Sequence, residues 1–176
     1  KLTQFLIFNI KLFSSKASAA PTFVQDFAVN SQETEPRGLT FNNDGTKMFV
    51  IGWTGDDANE YTLSTAWDVS TASFVDSFRV AAAEDDARDV KFNPDGTKMF
   101  IVGTNPDTVF QYSLTTGFDI STAAYTGKSF SVSEDSNPEG IEFYPDGTQM
   151  FIVGETNNNI FQYSLTTAWD IETASY

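Results

Sequence analysis

Apolar residues along this chain fall into short runs of strand length, and the runs come in sets of four. In the middle set, run A is Asp89-Val90-Lys91-Phe92, run B is Lys98–Gly103, run C is Val109–Leu114 and run D is Tyr125–Val132. Within run C, Phe110, Tyr112 and Leu114 take one side while Gln111 and Ser113 take the other, the period of two of a pleated strand. Run B (KMFIVG) is apolar almost throughout, which predicts a strand covered on both faces. No stretch of these runs shows the three- and four-residue spacing of an amphipathic helix.

The sets repeat. FNNDGTKMF, FNPDGTKMF and FYPDGTQMF begin at Phe41, Phe92 and Phe143, 51 residues apart each time, so the marks show no insertion or deletion between copies. Flanking segments keep the register, with STAWDV, TTGFDI and TTAWDI beginning at Ser64, Thr115 and Thr166. A fixed period of this size marks a repeat architecture. Between runs A and B, Asn93-Pro94-Asp95-Gly96 suits a type I turn with a left-handed glycine after it, and Gly45 and Gly147 hold the same place. Between runs C and D, Asp68, Asp119 and Asp170 are placed to accept backbone N–H groups two or three residues on. Trp67, Phe118 and Trp169 beside them read as packing lids rather than ligand platforms.

Four antiparallel strands in about 50 residues make one propeller blade. The PDGTKMFIVG hairpin resembles that of YVTN-type and NHL-type β-propeller repeats, and the SLTTAWDISTASY element resembles propellers of marine bacteria and their phages. The resemblance runs from Thr22 to Tyr176 and implies an all-β fold: three 51-residue four-stranded blades, as a partial propeller or half of a six-bladed ring. With no histidine in the chain, the Gly-His element of WD40 repeats is absent. Phe23–Val29 aligns with Phe74–Val80 and so reads as a D strand, giving the order D, ABCD, ABCD, ABC, the third blade lacking its outer strand. Three blades do not close a ring, since closed propellers have about four to eight. Head-to-tail pairing of two chains, continuation in a longer chain and an open array all remain. The reading divides the chain into a three-repeat region, 23–176, and a divergent segment, 1–22. That segment is a degenerate strand or interface arm, favoured over a signal sequence because Lys11 interrupts its apolar run. The twelve residues Leu2–Phe13 are too few to span a bilayer.

Composition narrows the chemistry. The chain has no Cys and no His, which removes disulfides, thiol nucleophiles, imidazole bases and the usual zinc, copper and iron sites. Ten basic residues against 24 acidic ones give a net charge of −14, which opposes nucleic acid and anionic membranes.

Candidate sites lie on the D–A and B–C loops, because variable loops on a constant scaffold are where binding resides. Arg37, Arg88 and Glu139 share one repeat position ahead of the innermost strand and should face the axis, where an Arg could take a carboxylate or sugar hydroxyls. Pairing with Glu35, Asp86 or Asp89 is the simpler account of the two arginines. The B–C loops contribute Trp53, Asp56, Asp57, Asn105, Asp107, Asn157 and Asn158, and Trp53 could stack on a sugar ring or be covered by a neighbour. No cofactor is expected. Calcium is weighed because Asp56-Asp57, Glu84-Asp85-Asp86 and Glu134-Asp135 offer hard oxygen ligands, but none has EF-hand spacing. The expectation is a non-catalytic binding or assembly module, extracellular or on a virion surface, contacting protein or carbohydrate. The alternatives are an extracellular lyase or glycoside hydrolase using axial carboxylates, and an intracellular scaffold.

Overall fold

The computed structural model describes residues 22–80 and 86–176. They form three four-stranded antiparallel sheets, one per repeat. Blade 1 holds β1 (Pro36–Phe41), β2 (Lys47–Gly52), β3 (Asp57–Leu63) and β4 (Ala72–Arg79). Blade 2 holds β5 (Ala87–Phe92), β6 (Lys98–Thr104), β7 (Asp107–Leu114) and β8 (Ala123–Ser131). Blade 3 holds β9 (Pro138–Phe143), β10 (Gln149–Gly154), β11 (Ile160–Leu165) and β12 (Ala174–Ser175). This is a partial β-propeller. Two short local readings change. The third blade does begin its outer strand, since β12 pairs Ser175 with Ser164 and Ala174 with Leu165. Phe23–Val29 takes no strand conformation; instead Phe27 meets Tyr61 edge-on at 5.6 Å, as Phe78 of β4 meets Tyr112 and Phe130 of β8 meets Tyr163. The segment therefore covers blade 1 where the outer strand of a preceding blade would.

The turns follow the local chemistry. Gly45, Gly96 and Gly147 have φ of 71°, 71° and 76°, and each N–H closes its turn onto the carbonyl three residues back. Asp44, Asp95 and Asp146 each accept the backbone N–H of the following Thr at 2.9 Å and its hydroxyl as well. At the C–D corner, Asp68, Asp119 and Asp170 cap one-turn 3-10 helices (Val69–Thr71, Ile120–Thr122, Ile171–Thr173) by accepting the N–H two residues on. Trp67, Phe118 and Trp169 sit at φ of 65°, 57° and 59°, their rings lying over the turn glycines. They are the lids that the sequence predicts.

Blades stack through strand B, and β6 of the middle blade carries a neighbour on each face. Phe49 and Ile51 of blade 1 share a buried cluster with Val90, Met99 and Ile101 of blade 2, and Phe100 and Val102 repeat this with Ile141, Met150 and Ile152 of blade 3. A polar latch crosses each junction at the corner of the next blade. Lys47 Nζ donates to Phe118 O at 2.6 Å, and buried Glu60 accepts the Ile120 N–H at 3.0 Å. One blade on, Lys98 donates to Trp169 O at 2.8 Å and Gln111 accepts the Ile171 N–H at 3.2 Å.

The constant spacing conceals a compensated pair of changes. Strand β8 carries an extra residue at a bulge opposite Gln111 and Tyr112, where Gly127 has φ 81°. The D–A loop after it is one residue shorter, so Val29, Val80 and Val132 are not evenly spaced although Pro36, Ala87 and Pro138 are.

Candidate functional site

The innermost strands carry the feature that builds the site. Each contains a bulge at the same place: Pro36 and Gly38 pair with Gly52 and Ile51, and Ala87 and Asp89 pair with Gly103 and Val102. Pro138 and Gly140 likewise pair with Gly154 and Val153. The unpaired residue is Arg37, Arg88 and Glu139 in turn. A bulge re-aims its side chain away from the pleat, so one backbone device presents a different ion from each blade at the same rim.

The ions do not stand apart. Arg88 donates to Asp86 at 2.9 Å and to Thr104 Oγ1 at 3.4 Å, and its other amino group lies 3.2 Å from Glu139 of the next blade. Thr104 in turn donates to Asp86 at 2.7 Å. Arg37 is more open, 3.6 Å from Glu35 with both side chains about half exposed. The expected pairings with Glu35 and Asp86 are present. Asp89 instead accepts the N–H of Val90 at 2.8 Å and of Ile141 at 3.1 Å, with Lys91 Nζ 3.8 Å away. Burial outweighs Lys91 and these N–H groups and pushes the Asp89 carboxyl above the usual carboxylate range. Gly38, at the same repeat position, leaves room for it: a Cβ there would stand 2.7 Å from Asp89 Cα and 2.9 Å from Asp89 Oδ1.

Two buried acids hold the loops, and sequence reasoning missed both in this role. Glu33 accepts the N–H of Glu35 at 2.7 Å and of Thr54 at 3.2 Å; Asp135, 102 residues on, accepts those of Asn137, Thr156 and Asn157 at 2.8–3.3 Å. Burial works against the Asp135 charge, yet the backbone donors win and hold its carboxyl below the usual range. Each acid lies against the glycine that ends strand B, Gly52 or Gly154, where a Cβ would come within 2.6 Å of the carboxyl carbon. Acid and glycine two repeats apart, each with its partner, were the available signal. Thr34 with Thr54, and Ser136 with Thr156, tie the same loops by hydroxyl contacts.

The remaining candidates are spread along the rim. Trp53 is 51 % exposed, with its N–H on Glu35 O at 3.3 Å, so it joins Glu35 and Arg37 at the edge of blade 1. Asp57 is raised by burial, which Arg79 opposes and Glu33 reinforces; Asp107 is raised by burial and by Asp135. Asp56 and Asp107 offer carbonyls to the N–H groups of Val80 and Val132. Asn157 is bound into the Asp135 clasp and donates to Glu134 O at 2.7 Å, while Asn105 and Asn158 are exposed. Among the described residues no three acidic side chains converge as a metal cage, and Glu84 and Asp85 of the calcium candidates lie outside those residues. So does the segment before Thr22, read from the sequence as a degenerate strand or interface arm. No described helix is long and apolar enough to cross a membrane.

No protein-family model matches the sequence, and a search of characterised proteins finds no significant match. Solved structures do match the fold. A putative 6-phosphogluconolactonase from Bacteroides fragilis superposes with TM-score 0.59 at 16 % identity, over 80 % of this chain and 38 % of its own. The periplasmic gluconolactonase of Pseudomonas aeruginosa gives 0.59 at 14 %, over 80 % and 39 %. The β-propeller domain of Cps50 from Myceliophteria thermophila gives 0.53 at 14 %, over 73 % and 37 %. The chain thus spans about two fifths of the length of these propellers. The expectation of a chain without an enzymatic role is corrected here. The structures it resembles include propellers named as lactonases, at 14–16 % identity.

Proposed function

We propose that this chain is a β-propeller binding and assembly module whose D–A and B–C loop face contacts protein or glycan, displayed outside the cell or on a virion. The observation that carries it is the bulge series: the scaffold repeats, while Arg37, Arg88 and Glu139 change the ion presented at one position. Scaffold constancy with rim variation is the pattern of a recognition surface. Arg88 is already paired with Asp86, Thr104 and Glu139, so the open end is blade 1. There half-exposed Trp53 offers a flat ring for a sugar face, and Glu35 and Arg37 offer an acceptor and donors for hydroxyls. The net charge of −14 favours a neutral saccharide over a polyanion. The placement outside the cell or on a virion rests on the sequence resemblance to marine phage and bacterial propellers. The test is a glycan array with the full chain, followed by calorimetry on any hit. Trp53→Ala and Arg37→Ala should each weaken binding at least tenfold. Binding that neither change affects sinks the assignment of the blade 1 rim.

A second reading, hydrolysis of a sugar lactone, is favoured by Asp89 together with the lactonase names. A buried carboxyl on an innermost strand, held above the usual carboxylate range, is suited to take a proton from water. The full chain should then hydrolyse gluconolactone or 6-phosphogluconolactone above the spontaneous rate, and Asp89→Asn should abolish the excess. No rate above buffer refutes this reading.

A further inference from the structure

The two ends of the blade stack are the two halves of one junction. Both internal junctions place an aromatic of strand B between two aromatics of the next blade. Phe49 lies 4.5 Å from Phe92 and 6.4 Å from Phe118, and Phe100 lies 4.5 Å from Phe143 and 6.1 Å from Trp169. At the outer face of blade 1, Phe41 and Trp67 form the same receiving pair, 5.2 Å apart, as Phe92–Phe118 and Phe143–Trp169 are at 5.4 and 5.1 Å. At the outer face of blade 3, Phe151 occupies the inserting position. One end holds the slot and the other the ring that fits it.

Repeat positions buried at the internal junctions are exposed on the same two faces. Leu39 is 52 % exposed, whereas Val90 and Ile141 at its repeat position are 0 % and 3 %. Val153 is 46 % exposed, whereas Ile51 and Val102 are both 0 %. A groove of about 260 Å³ on blade 1, lined by Phe27, Arg37, Leu39, Met48, Val50 and Val69, faces outward. Another of about 270 Å³ on blade 3 is lined by Ile141, Phe151, Val153 and Ile160. The polar latch is split in the same way. Blade 1 presents Trp67 O and the Val69 N–H, equivalents of the groups bound by Lys47 and Glu60 and by Lys98 and Gln111. Blade 3 presents Gln149 and Gln162 at the repeat positions of those side chains, one amide to donate and one to accept.

We infer that a second copy of this chain seats its blade 1 face on blade 3, with Phe151 entering between Phe41 and Trp67 of the other copy. Gln149 donates to Trp67 O, and Gln162 accepts the Val69 N–H. The occupant is a second copy because the two faces match each other, residue for residue, as the halves of the junctions already built within the chain. By repeat position the incoming Gln25, Asp26 and Phe27 lie opposite Gln162, Phe161 and Ile160, as Lys128, Ser129 and Phe130 lie opposite Gln111, Phe110 and Val109. The contact is heterologous, and two copies make it twice to close six blades, within the range at which propellers close.

The experiment is light scattering on the full chain with two single variants, Leu39→Glu and Val153→Glu. Both positions are exposed, so neither change strips a core contact, and circular dichroism confirms the fold. The unaltered chain should run at twice 19.4 kDa. Each variant alone should run at 19.4 kDa, since each lacks one of the two matching faces. Mixed together, the variants should regain the doubled mass through the one junction still intact. An unaltered chain that stays at 19.4 kDa overturns the proposal, as does a doubled mass that survives both changes. A mixture that fails to associate overturns it too, because stickiness without complementarity predicts that result.

Discussion

Gly96 is the position at which one added methyl group meets two separate obstacles. Its φ of 71° is left-handed, and alanine there costs about 1–2 kcal/mol in backbone strain. The added Cβ would also stand 2.3 Å from Phe118 Cδ2, 2.4 Å from its Cγ and 2.5 Å from its backbone N. The ring and the backbone of Phe118 must both retreat. Its N–H donates to Gly96 O at 3.0 Å, and its ring packs on Phe92 at 5.4 Å. Weakening that hydrogen bond and that ring pair adds about 1–2 kcal/mol, so Gly96→Ala should cost about 3 kcal/mol in all. Gly127 supplies the control. Its φ is 81° and an added methyl would meet nothing within 4 Å, so Gly127→Ala should cost the strain alone, about 1–2 kcal/mol. Urea unfolding of both variants, at unchanged m-value, gives the difference directly. Equal costs at the two glycines would refute the argument that the Phe118 lid resists displacement.

Two further outcomes follow from the junctions and the turns. Glu60→Ala should destabilise by about 2 kcal/mol, because Lys47 loses its carboxylate at 2.6 Å and the Ile120 N–H loses its acceptor. Glu60→Gln should cost well under half of that, since Gln111 performs the same task one blade on; equal losses in urea unfolding would count against the latch. Asp44, Asp95 and Asp146 are held below the usual carboxylate range by the hydroxyl and N–H of Thr46, Thr97 and Thr148. A depressed folded value means stability that is present above about pH 4 and lost as pH falls through the folded value. The triple Asn variant should therefore show a flatter acid limb in unfolding free energy against pH, and a gap to the parent protein that is the same at pH 3 and pH 6 would contradict the sign.

Sequence alone determined the blades, because what specifies them is local. Alternation in Val109–Leu114, the Asn-Pro-Asp-Gly turn with its left-handed glycine and the Asp119 cap all act over a few residues, and the 51-residue period copies them three times. Tertiary structure decided what those elements touch. The missing strand at Phe23–Val29 shows the limit: its pattern matches a D strand, but strand conformation needs a partner edge, and its side chains found a blade face instead. Asp135, which read as a cation ligand, became a buried clasp, and so did Glu33, because both fold under their loops onto backbone N–H groups and the glycines that end strand B. The rim ions shared a repeat position in sequence, yet only the bulge explains why that position leaves the pleat, and only the blade spacing brings Glu139 to Arg88. Equal residues at equal positions, such as Phe100 and Phe151, are fully buried or partly open according to whether another blade stands beside them. That depends on neighbours far along the chain, which no local pattern encodes.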